Sequence, residues 1–357
     1  MGGRQIGGYL KLTLKAAMNH QNFDSVQIGN RAQGTDAIVP CINHTKGATE
    51  RLTEAIATIE ALDTIVLTPF VVLNFELTNR CPFRCVMCAR TNNMTRDEGL
   101  MDYEMFKRGV DEYLAASPQA ATSEVLWLHG FGESLVHPEF DLFVAYAAGR
   151  GLRPALSINP LMLKPAGAQR LLAARPALLY LCMDGHDNAS FEAIRGLPNA
   201  YEKSKENLLA FLELKAKVSP DTEIHLSMID FPMNEESIRL TEGEWKQLPG
   251  IDLFISKGFT TWDGNAPDVE ALVQMPVRKL TGPVTCDFPW TRMTVAWDGD
   301  VTPCCLDYNK RYVLGSVRDS ALADIWNGEP MRALRAEFLS GKVSNSLCRN
   351  CSNLRDG

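Results

Sequence analysis

Residues 70–88 read FVVLNFELTNRCPFRCVMC, an apolar run followed by a polar turn and then Cys81, Cys85 and Cys88 in the spacing CxxxCxxC. The run FVVLNFEL at 70–77 predicts a strand. Five further runs of the same texture follow: EVLWLH at 124–129, PALSIN at 154–159, LLYLCM at 178–183, EIHLSM at 223–228 and IDLFIS at 251–256. Helix-length segments separate them, with Phe106, Val110 and Leu114 on one helical face and Phe140, Phe143 and Ala147 on another. Six strand candidates alternating with helices predict repeated βα units and parallel strands, since each return to the same sheet end needs a crossover. The expected architecture is an α/β barrel, complete or partial, with its chemistry at the C-terminal ends of the strands.

Outside this stretch the texture changes twice. Residues 1–66 form an extension of unassigned role, with a short helix expected over 10–19 and an amphipathic one from Glu50 to Leu62. After about Lys279 comes TRMTVAWDGDVTPCC, where Asp298-Gly299 between apolar runs predicts a hairpin. Short helices are expected around Leu322–Trp326 and Met331–Leu339, and the chain closes on CRNCSNLRDG. The division is therefore 1–66, a core at 67–279, and a small α+β domain at 280–357.

Bulk properties narrow the chemistry. The 357 residues carry a formal net charge of -7, so no overall positive field draws in nucleic acid or an anionic membrane. No run of 18 apolar residues occurs. Lys11 and Lys15 interrupt the only apolar stretch near residue 1, and Ile6 stands where a myristoylation signal wants Ser or Thr. The chain reads as cytoplasmic, and in that compartment its ten cysteines point to metal binding rather than disulfides.

Three thiolates spaced CxxxCxxC on one loop suit three corners of an iron–sulfur cube, leaving one iron open. Zinc fits less well, because its structural sites take four ligands and no fourth lies nearby. CxxxCxxC directly after the first strand of a βα barrel resembles the radical S-adenosylmethionine (SAM) superfamily. That resemblance implies a partial (β/α)6 barrel, a [4Fe-4S] cluster on Cys81, Cys85 and Cys88, and SAM on the open iron. It also implies a 5′-deoxyadenosyl radical that abstracts hydrogen from the substrate. Met87 takes the place before the third cysteine, where it would pack on adenine. LHGFGESLVHPEF at 128–140 resembles the family's glycine–glutamate motif, with Gly132 letting the protein backbone approach SAM and Glu133 accepting from the SAM amino group. SINPLML at 157–163 resembles the third-strand segment, making Ser157 and Asn159 SAM contacts. In MDGHDNASFEAIRG, Asp184, His186 and Arg195 are candidate contacts to SAM or substrate.

The last segment holds a second set. Cys286, then 17 residues, Cys304, then 43 residues, then Cys348 and Cys351 give four thiols that suit either a cubane or zinc. The hairpin cysteine, the LGSV…LADIWN stretch and the terminal CxxC resemble the SPASM/twitch extension of radical SAM enzymes. In its twitch form this extension holds one auxiliary [4Fe-4S] cluster. Spacing does not separate Cys304 from Cys305; the resemblance assigns Cys304, and alternation along a strand turns Cys305 the other way.

The layout resembles that of a family member that oxidises a secondary alcohol of an aminocyclitol. The implied activity is a radical SAM oxidoreductase acting on a small polar metabolite of sugar, aminocyclitol or nucleoside type. Net alcohol oxidation or epimerisation would follow, the auxiliary cluster accepting an electron. A low-potential donor such as flavodoxin or ferredoxin would reduce the first cluster, and no membrane or nucleic-acid partner is implied. No Gly-rich dinucleotide fingerprint follows any expected strand. Cys182 and Cys305 are the thiols outside both sets that could return a hydrogen atom. His129, His225, Asp230, Lys257 and Asp263 are candidate substrate contacts. The alternative is a maturase that modifies a ribosomal peptide or protein, whose docking would fall to residues 1–66.

Overall fold

The computed structural model describes residues 64–273 and 284–356. The helices expected over 10–19 and Glu50–Leu62, and Cys41, lie outside them. The described strands are β1 (Val71–Phe75), β2 (Val125–Trp127), β3 (Arg153–Ile158), β4 (Leu178–Cys182), β5 (Glu223–Asp230), β6 (Leu253–Gly258), β7 (Val284–Thr285), β8 (Arg292–Val295), β9 (Asp300–Thr302), β10 (Gly315–Ser316) and β11 (Arg355–Asp356).

Strands β1 to β6 pair in chain order and all in parallel, as successive βα units require. Helices cover the outer face. Asp102 caps the helix Tyr103–Ala116 by accepting from the Met105 amide at 2.8 Å. That helix sets Phe106 edge-on to Phe75 of β1 at 5.2 Å and against Phe143 of the helix Phe140–Gly149 at 4.8 Å. The expected faces built on Phe106 and on Phe140 are thus the ones that pack.

All five residues of β1 are buried, because the strand has partners on both sides: β2 on one and β8 on the other. Strand β8 runs parallel to β1 and then turns through Asp298-Gly299 into antiparallel β9, the hairpin expected from those residues. The segment after 280 therefore continues the same nine-stranded sheet, in the order β10-β9-β8-β1-β2-β3-β4-β5-β6. A separate two-stranded sheet joins β7 to β11. The expected helices appear as Leu322–Trp326 and Glu329–Leu339. Arg335 of the second is fully buried and donates to the carbonyls of Thr64, Pro289 and Trp326 at 2.8–2.9 Å, tying this segment to the start of the described chain.

The inner face of the sheet is different in character. Leu73, Val125, Trp127, Ala155 and Leu178 form a small apolar floor, with Tyr180 and Cys305 packed against it. Trp127 on β2 reaches past β3 to Tyr180 on β4, ring centroids 4.9 Å apart, and Tyr180 lies 5.2 Å from the His225 ring on β5. Above this floor, toward the C-terminal strand ends, the lining turns polar.

Candidate active site

The cysteine loop after β1 is held by backbone contacts rather than by regular structure. Arg84 and Val86 amides donate to the Arg195 and Ile194 carbonyls at 3.1 and 3.0 Å, laying the loop on the end of the helix Asn188–Arg195. Asp187 and Ser190 form a capping box at the start of that helix, and Gly196 closes it in the left-handed region, φ +74. A Cβ on Gly196 would lie 2.7 Å from the Arg84 carbonyl oxygen, so the helix end and the loop approach only through glycine.

Cys81, Cys85 and Cys88 gather beside Phe83, Met87, Ile194 and Phe231. Burial, then the neighbouring Glu133 charge, pushes the Cys81 thiol up to about 12; burial, then Cys85, pushes Cys88 up to about 11. In the last segment Cys286, Cys304, Cys348 and Cys351 lie within electrostatic reach of one another around Cys304. Burial drives Cys286 and Cys348 well up and Cys351 to about 12. Thiols buried together and held neutral by desolvation and mutual repulsion become thiolates only when an added cation compensates them, which is the donor chemistry of an iron–sulfur cluster. Among the described residues no three His, Cys, Asp or Glu side chains converge closely enough for a single metal ion. Buried all-sulfur sets of three and of four thiols fit the residues an iron–sulfur cluster takes.

Cys304 and Cys305 part company, but not by strand alternation: β9 ends at Thr302 and both cysteines lie in the turn that follows it. Cys304 joins the thiol set, while Cys305 packs on the lumen floor with Trp127 and Tyr180.

Around the first set, Arg195 is the central cation. Its guanidinium donates to Asp184, and Nη1 lies 3.5 Å from Cys85 Sγ. Asp184 is fully buried, its other oxygen accepting from the Ile229 amide and Asn234 Nδ2, both at 2.7 Å. Glu133 is buried and accepts from the Asn159 and Leu135 amides at 3.1 and 3.2 Å, yet burial pushes its carboxyl up to about 7. Gly132 has a reason of its own to be glycine: a Cβ there would sit 2.2 Å from the Thr78 carbonyl oxygen, so it packs on the start of the cysteine loop. Met87 is buried in the apolar cluster under that loop, and its carbonyl accepts from Trp262 Nε1 at 2.9 Å.

At the inner strand ends, Ser157 Oγ of β3 and Ser227 Oγ of β5 flank Cys182 Sγ of β4 at 3.2 and 3.3 Å. Burial alone would raise this thiol, but the charges of Lys257 and Arg195 and the two hydroxyls bring it below its ordinary range. Asn159 caps the turn after β3 through its Oδ1, which accepts from the Leu161 amide at 3.0 Å, and its Nδ2 reaches the Cys182 carbonyl at 3.5 Å. Lys257 of β6 lies over the Tyr180 ring at 5.2 Å. Burial, then Lys257, pushes His129 down to about 4, and its buried Nδ1 has no hydrogen-bond partner among the described residues. His225 meets Glu223 through Nε2 at 2.5 Å, and its Nδ1 is likewise unpartnered.

Three expected contacts stand apart from the lumen. His186 Nδ1 lies 2.9 Å from Ser237 Oγ on a covering helix, Asp230 is exposed, and Asp263 is fully buried against Arg311 at 2.9 Å. Glu76, Arg96, Trp127, Tyr180 and Ser227 join the expected residues around the site. Trp127, Tyr180 and Ser227 were legible by alternation, lying two residues before His129, two before Cys182 and two after His225.

Residues 75–241 match the radical SAM superfamily, and residues 286–352 match the SPASM iron-sulfur cluster-binding domain. Over 331 residues the chain is 25% identical to a tungsten-containing aldehyde ferredoxin oxidoreductase cofactor-modifying protein of Pyrococcus furiosus, covering 80% of this chain and 87% of that protein. It is 24% identical to a PqqA peptide cyclase of Granulibacter bethesdensis, covering 71% of this chain and 73% of the other. It is 19% identical to the S-adenosyl-L-methionine-dependent 2-deoxy-scyllo-inosamine dehydrogenase of Niallia circulans, covering 80% and 94%. Among solved structures the fold resembles BtrN in complex with AdoMet and 2-DOIA, with TM-score 0.53, 18% identity and coverage of 80% of this chain and 93% of that one. It also resembles Streptococcus suis SuiB bound to S-adenosylmethionine, with TM-score 0.60, 12% identity and coverage of 97% and 82%.

Proposed function

Because this chain belongs to the radical SAM superfamily and carries a C-terminal SPASM region, we propose that it oxidises a secondary alcohol of a small polar metabolite of sugar, aminocyclitol or nucleoside type. In this reading residues 67–279 hold SAM and substrate and residues 280–357 hold the electron acceptor. Cys81, Cys85 and Cys88 would ligate the first [4Fe-4S] cluster, and Cys286, Cys304, Cys348 and Cys351 an auxiliary one in the twitch manner. Glu133, Asn159, Ser157 and the Gly132 turn would hold SAM. When bound, SAM and the two clusters supply a hydrogen-abstracting 5′-deoxyadenosyl radical and a one-electron acceptor.

The observation that carries this reading is the pair Cys304–Cys305. One residue lies among the four thiols and the next packs on the floor of the lumen, which would bring an acceptor held by those thiols beside the substrate chamber. A four-thiol set leaves no iron free for SAM and suits electron transfer. The chain's own residues would handle the proton: Glu223 orients His225, whose unpartnered Nδ1 accepts the hydroxyl proton of the carbinol. Cys182 stands at the inner ends of β3, β4 and β5, where a thiol could return hydrogen to the opposite face and turn oxidation into epimerisation.

The test is anaerobic turnover of the reconstituted protein with a low-potential donor, SAM and 2-deoxy-scyllo-inosamine or related polyols. The expected outcome is 5′-deoxyadenosine formed together with a ketone. Cys304→Ala should keep SAM cleavage and lose the ketone. Deoxyadenosine without oxidised product from any polyol sinks the reading. Peptide modification is the competing reading, favoured by the likeness to the PqqA peptide cyclase, and a modified peptide in the same assay would establish it.

A further inference from the structure

The acids of the strands and loops around the lumen, and Asp263 beyond it, already have partners. Glu76 pairs with Arg96, Asp184 with Arg195, Asp263 with Arg311 and Glu223 with His225, while Glu133 is occupied by two backbone amides. Lys257 is different. Among the described residues no carboxylate lies within ion-pair distance of it, although it is half-buried and sits over Tyr180 on the inner face. A partly desolvated ammonium with no counter-charge is unfavourable unless a ligand brings one. Polar groups along the inner face are equally unfinished. Among the described residues the buried Nδ1 atoms of His129 and His225, Nε1 of Trp127 and Oδ1 of Asn74 have no hydrogen-bond partner. The last three residues are at least nine-tenths buried, at 9%, 6% and 9% exposure for His225, Trp127 and Asn74. They line the same wall: Asn74 faces Trp127 across the β1–β2 ladder, and both Trp127 and His225 touch Tyr180.

We propose that Lys257 is the anchor for an anionic group of the substrate, a carboxylate or a phosphate, held in the lumen beside Tyr180 and Cys182 while the unpartnered atoms of His129, His225, Trp127 and Asn74 take its hydroxyl or amino groups. This rests on the reading of the lumen as the substrate chamber and narrows the substrate from a polar metabolite to an acidic one. Lys257 already acts at range on that chamber: its charge helps hold Cys182 low and His129 neutral.

Cys182 supplies a probe that needs no knowledge of the substrate. The reconstituted protein is treated under argon with iodoacetate and, in parallel, with iodoacetamide, and alkylation of Cys182 is followed by peptide mass mapping. In both reactions the thiolate sulfur displaces iodide from carbon. Only the charge delivered differs, so the ratio of the two rates cancels any change in thiol ionisation. The ratio of iodoacetate to iodoacetamide should fall about tenfold in Lys257→Met, the scale of one charge at a few ångströms in a partly screened site, and should persist in Lys257→Arg. Inorganic phosphate and acetate are then competed against iodoacetate, and the stronger protector distinguishes a phosphate from a carboxylate. An unchanged ratio in Lys257→Met, a Cys182 inert to both reagents, or protection by neither anion overturns the proposal. None of these readouts depends on SAM cleavage or on a product, so failure here and failure of the oxidation reading are separately visible.

Discussion

Glu76 and Arg96 meet carboxylate to guanidinium, Oε1 to Nη2 at 2.6 Å and Oε2 to Nη1 at 2.7 Å, with both side chains more than nine-tenths buried. The pair is a junction of three chain segments. Glu76 also accepts from the Phe131 amide after β2 at 3.0 Å and from the Trp297 amide at 3.4 Å, while Arg96 Nε donates to the Tyr308 carbonyl at 2.7 Å. It thereby joins the cysteine loop, the glycine–glutamate turn and the C-terminal hairpin.

Removing one member leaves the other charge buried and unpaired. Arg96→Met is expected to cost about 3–5 kcal/mol in urea unfolding, and Glu76→Gln combined with Arg96→Met less than the two single losses added together. A cost below about 1 kcal/mol for Arg96→Met would show that the junction is not held by this pair.

Arg195 makes a prediction about electrons rather than stability. Its positive charge and its contact with Cys85 Sγ at 3.5 Å should favour the reduced, more negative state of a cluster on that thiol. Arg195→Gln is expected to lower the midpoint potential on the order of 50 mV, the scale of one hydrogen bond to a charged group, and Asp184→Asn to raise it. Redox titration followed by electron paramagnetic resonance checks both signs, and an unshifted potential in Arg195→Gln removes the role.

Glu133 should write its burial into the pH dependence of stability. Its carboxyl is raised from 4.5 to about 7 in the folded chain, so the fold binds the extra proton. The stability it contributes is complete below pH 4.5 and is lost as pH rises through about 7. Without SAM, Glu133→Gln should match the wild type near pH 4.5 and exceed it above pH 7 by up to about 3 kcal/mol. Parallel curves for the two proteins across that range would place the carboxylate in a more polar setting.

What the sequence discloses and what it hides divide along the range of the interaction. The six parallel strands are legible because each is a local apolar run, and the hairpin at Asp298-Gly299 because a turn is a local event. Cys81, Cys85 and Cys88 are legible for the same reason. The pairing of β8 with β1 is not, since no spacing pattern says that Arg292–Val295 will lie beside Val71–Phe75. Asp263 and His186 look like free polar groups in sequence, yet distant residues, Arg311 and Ser237, claim them. Lys257 shows the converse: being without an acid is a property of a neighbourhood assembled from four strands and never of a short segment.

The β1–β8 ladder also sets an order of events in the making of the protein. Glu76 N–H bonds to the Val295 carbonyl at 2.9 Å, so the strand that launches the cysteine loop stays half-open until the ribosome has delivered residues more than two hundred positions later. Contacts of such sequence separation form slowly. During synthesis β1 therefore waits with one edge unpaired, the cysteine loop hanging from a strand whose second partner comes only with β8.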